Sequence, residues 1–376
     1  MDRVQVSNKQ DTEVYEKPMV SMSRVYSMCK IPARNRVLSK SSVIFFVWIA
    51  LCSFLIITFF SSLFLGRFVI APDTTIEILI NSILHINDPQ LQQQTAIVTG
   101  LRFPRTLACM LVGAGMAISG ATFQGLFRNP LVSPDILGVS TGAGFGTALG
   151  ILLFGFTGFT SFYAFLFGLI SVLAAYLLAK SRNHVSIISL VLSGIIVSSI
   201  FTALTSLIKY MADPYDELPA ITYWLMGSFS KVTYSDIKTV AVPILVCIVI
   251  LLLLRWRINI LSLGDEEARS LGVDPVKIRI IAIIASTIIV AASVSIAGVV
   301  GWVGLVVPHI SRRIIGVDHK NLLPASCLIG GSFLILVDIL ARTITPAELP
   351  IGILTALVGA PFFAILLKKV SNRGEW

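Results

Sequence analysis

The sequence predicts an all-α polytopic membrane protein with about ten transmembrane helices and both termini in the cytoplasm, and three observations predict it. Hydrophobic residues fill 55% of 376 positions and charged residues only 13%, giving a mean hydropathy of +0.87; a soluble domain this apolar would precipitate. The apolar residues fall in uncharged runs long enough to cross the ~30 Å of hydrocarbon, which takes about 20 helical residues. The 29 Lys and Arg flank those runs instead of gathering on one polar domain. The net charge of +9 is therefore a topology signal and not a nucleic-acid surface.

Taken in order, the first 42 residues are polar and basic, with no small-residue cleavage site behind a short apolar core. They read as a disordered cytoplasmic tail near the anionic leaflet and not as a removable signal peptide; a start at Met19, Met22 or Met28 is the other reading. A membrane domain over 43–369 follows, with spans near 43–65, 106–127, 138–156, 159–179, 186–210, 237–254, 276–296, 298–315, 322–341 and 349–367, and a cytoplasmic tail over 370–376. The uncharged stretch from Ile280 to Ile310 is long for one crossing and short for two. Parity decides it: Arg255, Arg257, Arg269, Lys277 and Arg279 precede the stretch and Arg312, Arg313 and Lys320 follow it, and basic loops on one side require an even number of crossings between them. Gly298, Gly301 and Gly304 lie where the turn would fall. With the N-terminus inside, 22 of the 29 basic residues become cytoplasmic, the asymmetry expected of such loops.

Few residues in this frame can carry chemistry. Arg102 and Arg105 stand three apart at the outer start of the second span, a spacing that places both guanidinium groups on one helical face. Arg342 marks the outer end of the ninth span. Such arginines either anchor a helix at the interface or receive a carboxylate bidentately, where Lys would be a poor substitute. Asp338, the one acidic residue inside a span, precedes Arg342 by four and can pair with it along the helix. Gly194, Ser198, Thr202 and Ser206 repeat at steps of four on the fifth span, a small, weakly polar stripe suited to close packing or to an uncharged wall along a route. In the loop 261–275, Asp265, Glu266 and Glu267 suit a helix N-terminus, Arg269 suits its other end, Gly272 a left-handed stop, and Asp274-Pro275 prevents continuation.

Other chemistry is poorly provided for. Cys29, Cys52, Cys109, Cys247 and Cys327 have no metal-ligand or redox spacing. His309 has no Cys, carboxylate or second His at ligand spacing. No stretch matches G-x-x-x-x-G-K-[ST], so the chain lacks a phosphate-cradling loop. A secondary transporter would couple through membrane carboxylates or histidines, and only Asp338 qualifies. A membrane enzyme would need a nucleophile, metal or acid–base pair converging in a span, and none is visible.

Four motifs in order carry a resemblance. Leu101-Arg102-Phe103-Pro104-Arg105-Thr106 leads through a Gly-rich span to Gln124-Gly125-Leu126-Phe127-Arg128-Asn129-Pro130-Leu131 and Ser133-Pro134-Asp135-Ile136-Leu137-Gly138-Val139-Ser140-Thr141-Gly142. The loop Leu261-Ser262-Leu263-Gly264-Asp265-Glu266-Glu267-Ala268-Arg269-Ser270-Leu271-Gly272-Val273, the segment Gly301-Trp302-Val303-Gly304-Leu305-Val306-Val307-Pro308-His309 and the stretch Glu348-Leu349-Pro350-Ile351-Gly352 through Gly359-Ala360-Pro361 complete the set. From Leu101 to Lys369 the chain resembles the permease subunit of type II ABC importers for iron-siderophore complexes and cobalamin. The resemblance implies that fold in a bacterial cytoplasmic membrane, a second permease subunit forming a homo- or heterodimer, two ATPase subunits that use ATP and Mg, and an extracellular or periplasmic substrate-binding protein. It implies binding-protein docking at Arg102, Arg105 and Arg342. It also implies ATPase coupling through Leu263, Gly264, Asp265, Glu266, Glu267, Ala268, Arg269, Leu271 and Gly272, and a translocation pathway along Gly194, Ser198, Thr202 and Ser206. No catalytic residue, metal or cofactor is expected on the chain itself. A ferric siderophore is the expected substrate, with haem or cobalamin as alternatives and an ion-coupled secondary transporter as the remaining one. The long basic tail and the heavy acidic run 265–267 depart from the family pattern.

Overall fold

A computed structural model of the protein describes residues 40–86, 88–155, 157–180 and 186–371. Nearly all of the expected tail 1–42, and residues 372–376, lie outside the described residues. Every regular element among the described residues is helical. The α-helices of six residues or more are α1 (Lys40–Phe64), α2 (Pro72–Leu84), α3 (Phe103–Leu126), α4 (Val139–Phe154), α5 (Gly158–Ala179), α6 (Ile187–Met211), α7 (Glu217–Leu225), α8 (Tyr234–Leu261), α9 (Asp265–Ser270), α10 (Pro275–Ala297), α11 (Val303–Ile315), α12 (His319–Thr343) and α13 (Ile351–Ser371). Among the described residues seven helical stretches are long and apolar enough to cross a membrane, and α4 and the apolar part of α13 are shorter. Each of the ten expected spans falls on a helix.

Local sequence explains where the helices begin. Thr233 and Asp236 form a capping box at α8, as Thr157 and Thr160 do at α5, satisfying first-turn amides that would otherwise be orphaned. Asp274 accepts from the amides of Val276 and Lys277 ahead of Pro275, a proline placed where its missing donor costs nothing. Those two amide bonds, Lys277 first, hold the Asp274 carboxyl below its usual range.

The eighth span corrects the sequence reading. It was expected from residue 298, but the helix begins at Val303. Gly298 adopts φ +69° and Trp302 also lies in the left-handed region, so 298–302 is a non-helical turn. It packs beside two neighbouring turns that are bonded to each other and to the end of α10: the Ser228 amide donates to Ala297 O at 2.9 Å, the Ile351 amide to Gly227 O at 2.9 Å and the Gly352 amide to Met226 O at 3.0 Å, and a Cβ on Gly227 would lie 2.7 Å from Val299 O. These three turns cap the bundle at the end opposite the basic loops, where unpaired backbone would be costly.

At the centre stands α3, buried on nearly every face. α12, α10, α8 and α11 pack around it. Two helices approach to backbone contact at Gly113 and Gly330: a Cβ on Gly113 would lie 2.3 Å from Gly330 O, and one on Gly330 2.4 Å from Gly113 O. Such contact replaces the hydrophobic driving force that lipid withholds from helix pairs. α5, α6 and α8, by contrast, leave most of their surface outside the core.

Candidate functional site

At the end opposite the basic loops, the three arginines do not stand outward. Residues 96–102 are wound as a π-helix that runs directly into α3, and Arg102 at the junction turns back to α1. Its guanidinium donates to Leu63 O at 2.7 Å and Phe64 O at 3.1 Å, and to Phe68 O. Arg105 instead faces α12 and the loop that follows it: it donates to Asp338 at 2.8 Å and through Nη1 to both Glu348 oxygens at 2.9 Å. Arg342 donates to Ser62 O at 2.8 Å and to Ser62 Oγ, and its Nε stands 3.4 Å from Asp338. Arg102, Arg105 and Arg342 are 4%, 8% and 5% exposed, and Asp338 is 0% exposed. The expectation of guanidinium forks free for a partner carboxylate is thereby corrected. In lipid a cation at this depth must be neutralised, and α1 carbonyls, Asp338 and Glu348 do so within the chain. The pairing of Asp338 with Arg342 was legible from the i, i+4 spacing. Glu348 and Ser62 were missed, because nothing local in sequence links residues 243 and 280 positions away from their partners.

A second feature lies where the chain passes from α3 to α4. The short 3₁₀ turn Pro134–Leu137 sinks into the bundle before α4 begins, which is why α4 has only 16 residues. A Cβ on Gly194 of α6 would lie 2.1 Å from Ile136 O. Irregular backbone at such depth survives only if satisfied by protein. Here Ser171 donates to Gly138 O at 2.6 Å, Thr141 to the same oxygen at 2.9 Å, and Ser140 donates to the Asp135 carboxylate. Asp135, Ile136, Ser198, Thr202 and Ser206 line one side of an open groove of about 520 Å³. The expected stripe is thus divided. Gly194 is buried against the turn, Ser198 is half-buried, and Thr202 and Ser206 are exposed. Thr202 and Ser206 donate to the carbonyls of Ser198 and Thr202 on their own helix, so the groove shows oxygen atoms and no fixed cation.

This division separates two substitutions. Gly194→Leu is expected to force the turn from α6 and lower the thermal midpoint, since overpacking costs ~1–3 kcal/mol. Ser198→Leu is expected to leave the midpoint within about 2 °C and obstruct the groove; thermal melts paired with transport measurements distinguish the two.

The third feature is the 261–275 loop. Asp265 is its anchor: Arg128 donates to it at 3.0 Å and Arg279 at 2.9 Å, and Arg128 also donates to Leu261 O at 3.2 Å. Ala268 is the buried residue of α9, and Gly272, at φ +76°, ends that helix with the Val273 amide on Ala268 O at 2.9 Å. Gly264 is also buried, whereas Leu263, Glu266, Glu267, Arg269, Leu271 and Gly272 are exposed. The nine residues assigned to one surface from the sequence therefore split, with Gly264, Asp265 and Ala268 seating the loop and the other six forming a knob with two apolar leucines at 63% and 57% exposure. Arg128 and Arg279 were not recognised as its supports; the left-handed backbone of Arg128 becomes visible only in three dimensions.

Comparison with known proteins places this arrangement. The chain is 42% identical over 321 residues to the molybdate import system permease protein MolB of Haemophilus influenzae, covering 85% of this chain and 94% of that protein. It is 39% identical to a probable iron chelatin transport system permease protein of Helicobacter pylori, covering 76% and 86%, and 37% identical to the hemin transport system permease protein HmuU of Yersinia pestis, covering 72% and 82%. The solved structure of a metal-chelate type ABC transporter in an inward-facing conformation superposes with a TM-score of 0.76 at 40% identity, covering 85% of this chain and 98% of that one. With residues 54–369 matching the FecCD transport family, the chain belongs to that family and is a multi-pass membrane permease subunit of an ABC importer.

Proposed function

We propose that this permease passes an iron-siderophore complex from an extracellular or periplasmic substrate-binding protein to the cytoplasm of a bacterial cell, paired with a second permease subunit and driven by two ATPase subunits. The basic-loop end faces the cytoplasm in this reading. The supporting observation is the α9 knob: an exposed surface carrying Leu263 and Leu271, held rigid by the Arg128–Asp265–Arg279 ion pairs, on a chain with no phosphate loop of its own. Such a rigid projection can transmit the closing of an ATPase to the turn at 134–137, because Arg128 belongs to the segment that leads into that turn. ATP and Mg belong to the partner.

For the cargo, relatives span an oxyanion, iron chelates and hemin by their names. The groove favours the bulky class. Hydroxyls, alkyl groups and Asp135 line it, with no Lys or Arg, so it would repel a bare oxyanion more than it would hold one. The binding protein docks at the opposite end, on a surface shaped by the Arg102, Arg105 and Arg342 network, in which Glu348 is the partly exposed member at 27%.

The test is uptake into proteoliposomes holding permease, ATPase and binding protein. ATP-dependent accumulation of ferric siderophore is expected, together with at least a tenfold loss for Glu267→Ala/Arg269→Ala at unchanged assembly. Molybdate, hemin or cobalamin uptake in its absence would replace the cargo; full activity of the double variant would remove the coupling role.

A further inference from the structure

Between α5 and α10 an apolar groove of about 350 Å³ opens on the membrane-facing surface, lined by Leu169, Val172, Leu173 and Tyr176 on one side and by Ile280, Ile283, Ile284, Thr287 and Ile288 on the other. Leu173 and Ile284 are more than half exposed, so the groove is a surface feature and not an internal void. From Ile280 to Ile288 it extends about 12 Å at 1.5 Å per residue, most of the depth of one leaflet of a ~30 Å hydrocarbon core.

Its position along the helices is informative. Both walls reach the same end of the bundle, because α5 runs toward the loop that begins at Lys180 and α10 starts at Pro275. Residues 169, 173, 176 and 180 repeat at helical spacing on one face of α5, and 277, 280, 284 and 288 on one face of α10. The stripe that walls the groove therefore ends in a lysine on each side. Lys180 is exposed at the C-cap of α5, and the Lys277 side chain is 79% exposed, its pairing with Asp274 a long 3.6 Å. Arg279, the next cation, is occupied by Asp265. Tyr176 sits one turn below Lys180, about 6 Å deeper, at the level where an aromatic side chain meets the headgroup boundary.

We propose that this groove is a binding site for a phospholipid with an anionic headgroup, one acyl chain lying between α5 and α10 and the phosphate between Lys180 and Lys277. Apolar walls alone would accept any lipid tail. The two lysines at the mouth select the charge, and each basic residue near the surface strengthens the binding of anionic lipid by about fivefold. A site seated on α10 bears on the α9 knob, which Arg279 of the same helix holds in place.

Native mass spectrometry of the full-length permease, titrated with phosphatidylglycerol or with phosphatidylcholine of the same acyl chains, tests the proposal. The wild type is expected to retain one phosphatidylglycerol with a preference of about twenty-five-fold. Lys180→Gln/Lys277→Gln should bind both lipids equally, and Leu173→Trp/Ile284→Trp, which fills the groove, should lose the tight phosphatidylglycerol. All four side chains are exposed, and an unchanged thermal midpoint verifies folding. Equal retention by the wild type, a preference that survives the lysine variant, or tight retention by the filled groove would each overturn the site. A disulfide between copies through Leu173→Cys would assign the groove to a second permease and overturn it as well.

Discussion

Asp338→Ala is expected to cost the folded permease about 3–5 kcal/mol, because removing one member of a buried ion pair leaves the other charge uncompensated. Here two cations lose a shared partner: Arg105 at 2.8 Å and Arg342 at 3.4 Å both lean on a carboxylate with no exposure, leaving Arg105 only the half-buried Glu348 and Arg342 only uncharged oxygens of Ser62. Against a typical stability of ~5–15 kcal/mol, such a loss should appear as a large fall in the thermal midpoint and in the yield of monodisperse protein by size-exclusion chromatography. Arg342→Met in the same chain should recover part of the loss, since deleting both charges costs less than isolating one. Glu348→Gln should do much less harm, because its side chain is 27% exposed and water can compensate. An Asp338→Ala protein as stable as wild type would show that Glu348 suffices for Arg105 and Ser62 for Arg342.

Gly120→Leu is expected to be comparably damaging for a steric reason. A Cβ at this position would lie 1.8 Å from Gly304 O and 2.7 Å from Gly304 Cα, backbone atoms that no rotamer change can move aside. Helices α3 and α11 would have to separate, and overpacking of even modest size costs ~1–3 kcal/mol. The change also reaches the sunken turn, because Gly304 packs against its Pro134. We expect loss of uptake together with a lowered thermal midpoint. Gly100→Ala is the control: nothing lies within 4 Å of a Cβ there, and the helix should gain slightly in propensity. If Gly120→Leu melts like the control, the two helices are not in backbone contact.

The expected spans were legible because hydropathy, basic flanks and parity act over a few residues at a time. The turn near Gly298 and the left-handed stop at Gly272 were legible for the same reason, as glycine tolerates those backbone angles locally. Short helices escaped the reading. α2 and α7 are short and lie outside the long apolar runs, so neither length nor composition announces them.

For the candidate sites the division follows sequence distance. The i, i+4 pairing of Asp338 with Arg342 and the glycine-stopped helix α9 were determined by the sequence alone, because each depends on contacts within one or two turns. Only the tertiary structure decided that Arg102 caps α1 while Arg105 bridges α12 to Glu348, that Gly194 packs while Thr202 and Ser206 remain exposed, and that Asp265 anchors the knob through Arg128. Those outcomes depend on which helices touch, and helix contacts in lipid are set by backbone approach at small residues and by the need to satisfy each buried polar group. A residue type can announce that it needs a partner; the partner is chosen by the packing of the whole bundle.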